Sequence, residues 1–423
     1  MKPEGPSPLP TVRSRIVERI PIYYGWVVLL AASFGLFMTT PGQTIGVSVF
    51  LDSIIGDLGI SRVTVSLMYT FGTLAASLVL PFVGRFIDAR GPRPAVIIIT
   101  SLFALACLWM SFVQGLVTLF LGFLLIRALG QGSLALVSIH VINLWFVRRR
   151  GLAVGLSGMG LALSFALFPI LLNRLLAAFG WRTSYALVGA LLAVTILPVG
   201  ALFFRGQPEK YGLEPDGRRK AGGAGLPERN FTLRQARRTA IFWLYTLAGF
   251  TFAMLGTALV FHNYDILGEG GLDRAVATSA FSALGLVAAG SNLITGTLLD
   301  RLPPRLLLAV NLGLLCLSLA LATNASSPRG VLLYGGVFGL MQGMTATIMA
   351  SVFAHYFGRR HLGAIRGTVQ TIGVAGAALG PLLFAFGVEL LGSYRPLLLL
   401  SGLLPLTIAA AIPLVPLPKD VPT

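Results

Sequence analysis

Two related stretches of sequence decide the fold of this chain: GRFIDARGPR at residues 84–93 and GTLLDRLPPR at residues 296–305. Glycine, aspartate and arginine recur in them at the same spacing, with an offset of 212 residues: Gly84 with Gly296, Asp88 with Asp300, Arg93 with Arg305. The flanking residues keep this offset back to residue 59. A constant offset over such a distance indicates a duplicated half, so the repeat is interpreted before any other feature.

A second pair of stretches supports the duplication. WFVRR at residues 145–149 corresponds to YFGRR at residues 356–360, with an offset of 211, and the dipeptide QG at 131–132 and 342–343 shares that offset. The sequence therefore predicts two homologous halves that together account for most of the chain.

The composition is that of an integral membrane protein. The chain has 423 residues, of which 55% are hydrophobic and 11% charged, and its mean hydropathy is +0.83. Soluble domains carry about 25% charged residues. The two cysteines, Cys107 and Cys316, lie inside apolar runs and predict no disulfide framework. The first 20 residues are polar and basic, which is not typical of a cleavable signal peptide.

Apolar stretches of about 20 residues are long enough to cross a bilayer as helices. Twelve are predicted, six on each side of a polar segment: 22–48, 62–84, 94–113, 117–144, 152–175, 184–204, 239–262, 275–298, 306–323, 330–354, 368–391 and 396–416. The predicted fold is all-α, with twelve transmembrane helices in two pseudo-symmetric six-helix bundles. The predicted division of the chain is a tail at 1–20, a bundle at 21–204, a linker at 205–238, a bundle at 239–416 and a tail at 417–423.

The placement of Lys and Arg predicts the topology. Of these residues, 25 fall on the side of the membrane that holds the N-terminus and six on the other side. Loops on the cytoplasmic side are the ones enriched in Lys and Arg, so both termini are predicted to be cytoplasmic, in a plasma membrane such as the bacterial inner membrane. The net charge of +17 is interpreted as an orientation signal and as contact with anionic lipid, not as a nucleic-acid footprint.

The segment 205–238 is predicted to be a cytoplasmic linker with a short helix at 231–238. Its charge and its glycines at 222–225 leave too little apolar surface to fold alone. These glycines predict no phosphate-binding loop, because the Lys-Ser/Thr ending and a preceding strand are both missing.

The repeated stretches predict a latch between the halves. An aspartate at the end of a helix can face the N-terminus of a neighbouring helix and nearby arginines, and Gly91-Pro92 predicts a tight turn beside it. The alternative is an ordinary turn with cytoplasmic positive charges. The residues predicted to act in gating are Gly84, Asp88, Gly91, Arg93, Gly296, Asp300, Arg305, Arg148, Arg149, Arg359 and Arg360.

At residues 84–93 the pattern G-x-x-x-D-x-x-G-x-R resembles the loop signature of the major facilitator superfamily, and the twelve predicted spans resemble its architecture. Three further stretches resemble its monocarboxylate transporter branch and the bacterial oxalate/formate antiporters: YGWVV at 24–28, WFVRRRGLAVG at 145–155 and PEKYGLEPDG at 208–217. The resemblance implies alternating access and a small organic anion as substrate. Animal members carry a lysine late in the first helix and an Asp–Arg pair in the eighth. Here the first region reads PGQT at 41–44, and Asn292 stands where the arginine aligns, so proton coupling through those groups does not carry over.

Arg127 is the sharpest candidate for a substrate site, because it lies about halfway along the fourth span. An arginine at that depth costs about 2.5–3.5 kcal/mol on insertion scales, so it is expected to face a cavity and to have a partner. No Asp or Glu lies in the middle of the predicted spans. A guanidinium suits a carboxylate, so a substrate or gating role is one interpretation and a structural bond to helix ends is the other.

Other polar and aromatic residues at membrane depth are candidates to line the same cavity, with ordinary core packing as their alternative: Gln131, Asn292, Tyr334, Phe338 and Gln342. His140 and His262 are candidates for a proton relay, against packing or a plain polar helix end. The four histidines and two cysteines show no ligand spacing, so no metal, no cofactor and no enzymatic activity is expected.

Three functions remain open. The first is a secondary active transporter of mono- or dicarboxylates, by proton symport or anion exchange, with the substrate bound between the halves near the membrane midplane. The second is an exporter of amphiphilic or neutral compounds, in which Arg127 is structural. The third, from another class, is a membrane sensor that signals through residues 205–238.

Overall fold

The computed structural model of the protein describes residues 14–217 and 230–416. Within these residues the chain forms helices and no strands. The predicted tails, up to residue 13 and from residue 417, lie outside the described residues, as do the glycines at 222–225.

The first half of the described chain contains ten α-helices. Their bounds are Arg15–Arg19, Gly25–Phe37, Thr44–Leu58, Arg62–Ser77, Leu80–Arg90, Pro92–Ser111, Leu116–Ile126, Ala135–Trp145, Arg150–Val194 and Ile196–Phe203. A 3₁₀ turn at Thr40–Gly42 interrupts the first span, and a π-helix at Arg127–Leu134 interrupts the fourth.

The second half contains nine α-helices. Their bounds are Leu233–Ala236, Ala240–Phe261, Asn263–Glu269, Arg274–Leu299, Pro304–Asn324, Pro328–Phe357, Leu362–Leu391, Tyr394–Ser401 and Leu403–Ala411. Short 3₁₀ turns lie at Pro208–Tyr211, Pro215–Gly217 and Ile412–Leu414. The helix Leu233–Ala236 falls within the stretch where the sequence predicts a short helix, and a capping box of Thr232 and Gln235 begins it.

The membrane spans agree with the predicted twelve. Eleven helical stretches of the described residues are long and apolar enough to cross a membrane. One of them, Ile170–Phe203, contains Gly180, whose φ of 73° and ψ of 170° separate the fifth span from the sixth. The predicted gap between these spans, from residue 175 to residue 184, is longer than the turn in the structure. The turn needs only one residue with positive φ, which is Gly180.

Each half has its own hydrophobic core. The first core runs from Val17 to Phe204 and takes one buried residue, Ala350, from the other half. The second core runs from Phe231 to Ile412. The halves meet through two equivalent helix pairs, the second span with the eleventh and the fifth with the eighth. We call the end of the bundle that carries residues 84–93 and 296–305 the latch end.

Candidate functional site

The repeated aspartates join the two halves at the latch end. Asp88 accepts hydrogen bonds from the backbone N–H groups of Gly363 and Ala364, both at 2.8 Å. Asp300 accepts the equivalent bonds from Gly151 at 2.8 Å and Leu152 at 3.0 Å. Each carboxylate of one half therefore caps the N-terminus of a helix of the other half, where free N–H groups and the helix dipole favour a negative charge.

Repeated glycines allow this close approach. A Cβ atom added at Gly296 would lie 2.6 Å from the carbonyl oxygen of Gly151, and one at Gly84 would overlap the carbonyl of Gly363. The latch end is closed in this structure, because both helix pairs touch through their backbones. Gly91 adopts a φ of 85°, as the predicted turn requires.

The repeated arginines act within their own halves. Arg93 donates through Nε to the carbonyl of Ala201 at 2.8 Å, and Arg305 donates through Nη2 to the carbonyl of Val415 at 2.7 Å. Each arginine thus satisfies a free carbonyl near the end of the last span of its half. The sequence allowed them to pair with the aspartates, but their described hydrogen bonds go to these carbonyls instead.

The second pair of basic stretches is tied to the segment that follows the sixth span. Arg359 is buried, donates to the Leu144 carbonyl and bonds the Glu209 carboxylate at 2.6 Å. Asp216 accepts from the backbone N–H groups of residues 147–149. The side chains of Arg148, Arg149 and Arg360 are exposed. Residues 205–217 are therefore bound to the bundle more closely than their composition predicts, because Glu209 and Asp216 find partners on both halves.

Protonation of the Asp300 carboxyl is coupled to closure of the latch end. Burial raises the pKa of Asp300, the N–H bonds of Leu152 and Gly151 oppose that rise, and the charges of Asp216 and Arg150 add smaller effects of opposite sign. The closed latch therefore holds the proton of this carboxyl more tightly than an open, hydrated one. It follows that closure takes up protons.

We expect falling pH to favour the closed latch and rising pH to remove that contribution. The measurement is the distance between spin labels at Arg90→Cys and Arg360→Cys, both exposed positions at the latch end, as the pH falls from about 8 to about 4, near the ordinary pKa of an aspartate. The control is Asp300→Asn, which should flatten this part of the pH dependence. A closed fraction that decreases on acidification contradicts the expectation.

Arg127 is buried at the break in the first span. Its Nε donates to Thr73 Oγ1 at 3.0 Å, and its Nη1 donates to the carbonyl of Gly42 at 3.0 Å. The guanidinium carbon lies 4.9 Å from the centre of the Tyr69 ring. All of these partners are neutral, so the charge of Arg127 is solvated by the protein and is not cancelled by a carboxylate.

Arg127 and Gln131 share the wall of a small cavity where the halves meet. The eleventh span contributes Gln370 and Val374 to the same wall. The cavity volume is about 10 Å³, which is room for about one water molecule. Gln131 Oε1 is buried there without a hydrogen-bond partner. In this closed arrangement the cavity is therefore too small for an organic anion.

The remaining substrate candidates lie on other helices. Asn292 Oδ1 accepts from Thr347 Oγ1 at 3.0 Å and lies beside Gly158 of the fifth span. The Gln342 side chain lies beside Gly256 of the seventh span. Asn292 therefore lies where the fifth, eighth and tenth spans meet, and Gln342 lies between the seventh and tenth.

Tyr334 and Phe338 are stacked, with ring centroids 5.9 Å apart and an interplanar angle of 5°. Both are buried in the second core. Their contacts agree with core packing, and a role in substrate binding stays a prediction.

His262 is fully bonded within the second half. Its Nε2 donates to the Pro381 carbonyl oxygen at 3.0 Å, and its Nδ1 lies 2.9 Å from the Tyr394 hydroxyl and 3.7 Å from the Asp265 carboxylate. His140 is buried on the fourth span, and its Nδ1 has no hydrogen-bond partner. The two histidines lie in different halves and do not share a site.

The structure places Arg127 and Gln131 on one cavity wall, and none of the contacts described above joins them to Asn292, Gln342 or the aromatic pair. The sequence analysis did not predict Gln370, Tyr69 or the Gly42 carbonyl at this site. Gln370 and Tyr69 gave a signal, as polar residues in the predicted spans 368–391 and 62–84, whereas the carbonyl gave none. Within residues 14–217 and 230–416, no three His, Cys, Asp or Glu side chains are arranged to hold a metal ion.

Comparison with known proteins agrees with this architecture. The profile of the Major Facilitator Superfamily matches residues 26–323 and again residues 263–423. Human monocarboxylate transporter 11 is 30% identical over 359 residues, which are 81% of this chain and 72% of that protein. Monocarboxylate transporter 13 of Bos taurus is 26% identical over 388 residues, or 90% and 86% of the two chains.

Solved structures of low sequence identity share the fold. The human organic anion transporter MFSD10 superposes with a TM-score of 0.70 at 15% identity, over 93% of this chain and 100% of that one. The transporter FucP in its outward conformation superposes with a TM-score of 0.72 at 12% identity, over 92% and 99%.

Proposed function

The chain belongs to the major facilitator superfamily and resembles its monocarboxylate transporter branch, and on this premise we propose that it carries small organic anions, mono- or dicarboxylates, across the membrane. Transport proceeds by alternating access, in which the two halves rock about a substrate held between them. The latch end faces the cytoplasm, both termini lie on that side, and the protein resides in the plasma membrane, which is the inner membrane in a bacterium.

The observation that carries the proposal is the environment of Arg127. This guanidinium is buried in the membrane, and its described partners are a hydroxyl, a carbonyl and an aromatic face. A positive charge without a counter-ion attracts an anion, and a carboxylate can accept two parallel hydrogen bonds from one guanidinium. Gln131 and Gln370 supply further polar groups at the same cavity.

The coupling is proton symport or anion exchange. No Asp or Glu lies in the middle of the predicted spans, so a proton that accompanies the substrate travels on a histidine or on the substrate itself. His140 is the better placed of the two candidates, because both nitrogens of His262 are already bonded.

We expect Arg127→Gln to reduce carboxylate uptake about tenfold or more, since one charge-assisted hydrogen bond contributes about 1.5–3 kcal/mol. The measurement is uptake of radiolabelled acetate, pyruvate, oxalate and succinate into proteoliposomes. Arg127→Lys keeps the positive charge but loses the planar guanidinium that makes two parallel hydrogen bonds, so it should retain part of the flux. The matched control is Arg174→Gln, which removes an exposed arginine from the same half.

Two outcomes oppose this proposal. Unchanged carboxylate uptake in Arg127→Gln assigns the arginine a structural role and favours an exporter of amphiphilic or neutral compounds, to be tested with lipophilic cations. Absence of any flux in the wild-type protein favours the sensor.

A further inference from the structure

Arg366 is a buried cation without a partner. It lies in the second turn of the eleventh span, 8% exposed, and its Nη1 is inaccessible and makes no hydrogen bond. Within the described residues it forms no ion pair with any carboxylate. The other buried arginines all donate hydrogen bonds to protein oxygens: Arg127, Arg150, Arg205 and Arg359.

Two polar residues of the opposite half lie on the helix that packs against it. This helix, Ala135–Trp145, carries His140 and Asn143 and contacts the eleventh span, which carries Arg366. His140 is 2% exposed, and its Nδ1 has no partner. Asn143, one turn further on, donates to the Ala350 carbonyl at 3.1 Å, while its Oδ1 has no partner. Three buried polar groups from both halves thus keep unused hydrogen-bonding atoms.

Such an arrangement opposes closure of the latch. A buried charge without a counter-ion is strongly destabilising, and an apolar or neutral residue would fit this contact at lower cost. The contact lies between the halves, so it exists only while the latch end is closed. When the halves part, the guanidinium regains water and becomes reachable from the latch end.

We propose that Arg366, His140 and Asn143 form a carboxylate-binding site of the latch-open state. Arg366 supplies the planar guanidinium that holds a carboxylate, and His140 donates from the facing helix. Asn143 donates through Nδ2, because this amide loses its bond to the Ala350 carbonyl of the other half when the halves part. This inference rests on the proposed function, because it adds a second site for the same class of anion. His140 lies 13 residues beyond Arg127 on the fourth span, about 20 Å along a helix, so the two sites mark the centre and the latch end of one path.

The test compares carboxylate binding in two states of the purified protein. The wild type represents the closed latch, and Asp88→Ala with Asp300→Ala represents the open one. The ligands are potassium acetate, pyruvate, oxalate and succinate, against potassium chloride at matched ionic strength. A ligand of the folded state raises the apparent Tm with the logarithm of its concentration.

We expect Arg366→Gln to lower the affinity of the latch-open variant for the best carboxylate at least tenfold. The wild type, in which Arg366 is buried, should bind carboxylates weakly both with and without this substitution. Arg366→Lys should weaken binding to the latch-open variant less. Arg301→Gln, which removes an exposed arginine at the same end, should change neither affinity. Without ligand, Arg366→Gln should also raise the Tm of the wild type by a few degrees, because it removes an unpaired buried charge.

Three results overturn the inference. The first is equal carboxylate stabilisation of the latch-open variant with and without Arg366. The second is an equal loss in both states. The third is a lower Tm, or failure to fold, of Arg366→Gln without ligand, since Arg366 then has a structural role. The proposed function fails separately, by absence of carboxylate flux in proteoliposomes or by flux that ignores Arg127.

Discussion

Replacement of both Asp88 and Asp300 by alanine is expected to open the latch end and to abolish most of the transport. Each carboxylate accepts two backbone N–H bonds from the first turn of a helix in the opposite half, four bonds of 2.8–3.0 Å in total. The halves themselves should fold normally, because each has its own core.

The size of the effect follows from the N–H groups that lose their acceptors. An intramolecular hydrogen bond contributes about 0.5–1.5 kcal/mol net, so the four bonds of the two latches together contribute about 2–6 kcal/mol to closure. Burial of the carboxylates opposes their bonds, and water can replace them, which favours the lower part of that range. Even about 2 kcal/mol changes the ratio of closed to open protein about 30-fold, and each further 1.4 kcal/mol adds a factor of about ten.

The measurement is the distance between spin labels at Arg90→Cys and Arg360→Cys, with Cys107 and Cys316 replaced beforehand. The double variant should populate a longer distance than the wild type, and carboxylate uptake should fall about 30-fold or more. The matched control is Asp216→Ala. It removes another carboxylate at the same end, one that accepts three backbone N–H bonds from residues 147–149 without bridging the halves. An unchanged distance in the double variant would show that the two aspartates do not hold the halves together and that each repeated stretch is an ordinary turn.

The features that occur in both halves could be predicted from the sequence, because the internal repeat identifies equivalent residues. The offset of 212 residues made Asp88 and Asp300 equivalent, and both lie on helix N-termini of the other half as predicted. The same equivalence extends to Arg93 and Arg305, although their partners proved to be backbone carbonyls. An internal repeat identifies residues at equivalent positions in the two halves. The atoms that these residues contact depend on how other helices pack, which the repeat does not show.

The contacts of the buried arginines could not be predicted from the sequence, because they depend on how the helices pack. Arg127 bonds the Gly42 carbonyl because the first span breaks at Thr40–Gly42, and hydropathy alone reads that region as one continuous helix. The predicted eleventh span begins at residue 368, which leaves Arg366 outside the membrane and close to Arg359 and Arg360. Only the contact of the eleventh span with the fourth shows that it is buried.

The last prediction concerns the glycines rather than the charges of the latch. Gly296→Val is expected to prevent closure on the side of the fifth and eighth spans. An added Cβ at Gly296 would lie 2.6 Å from the Gly151 carbonyl oxygen, and a backbone carbonyl cannot rotate away as a flexible side chain can. Extra carbons in a packed contact cost about 1–3 kcal/mol, and the two methyl groups of valine add to this.

The eighth span also supplies the control. Gly290 lies six residues earlier on the same helix, and an added Cβ there meets nothing within 4 Å, so Gly290→Val tests the effect of a β-branched residue alone. We expect Gly296→Val to reduce carboxylate uptake about 100-fold and to lengthen the spin-label distance, while Gly290→Val leaves both nearly unchanged. An equal loss of carboxylate uptake in the two variants would mean that the low helix propensity of valine, and not the contact at Gly296, causes the effect. A selective loss means that the repeated glycine is required because two backbones must touch each time the latch closes.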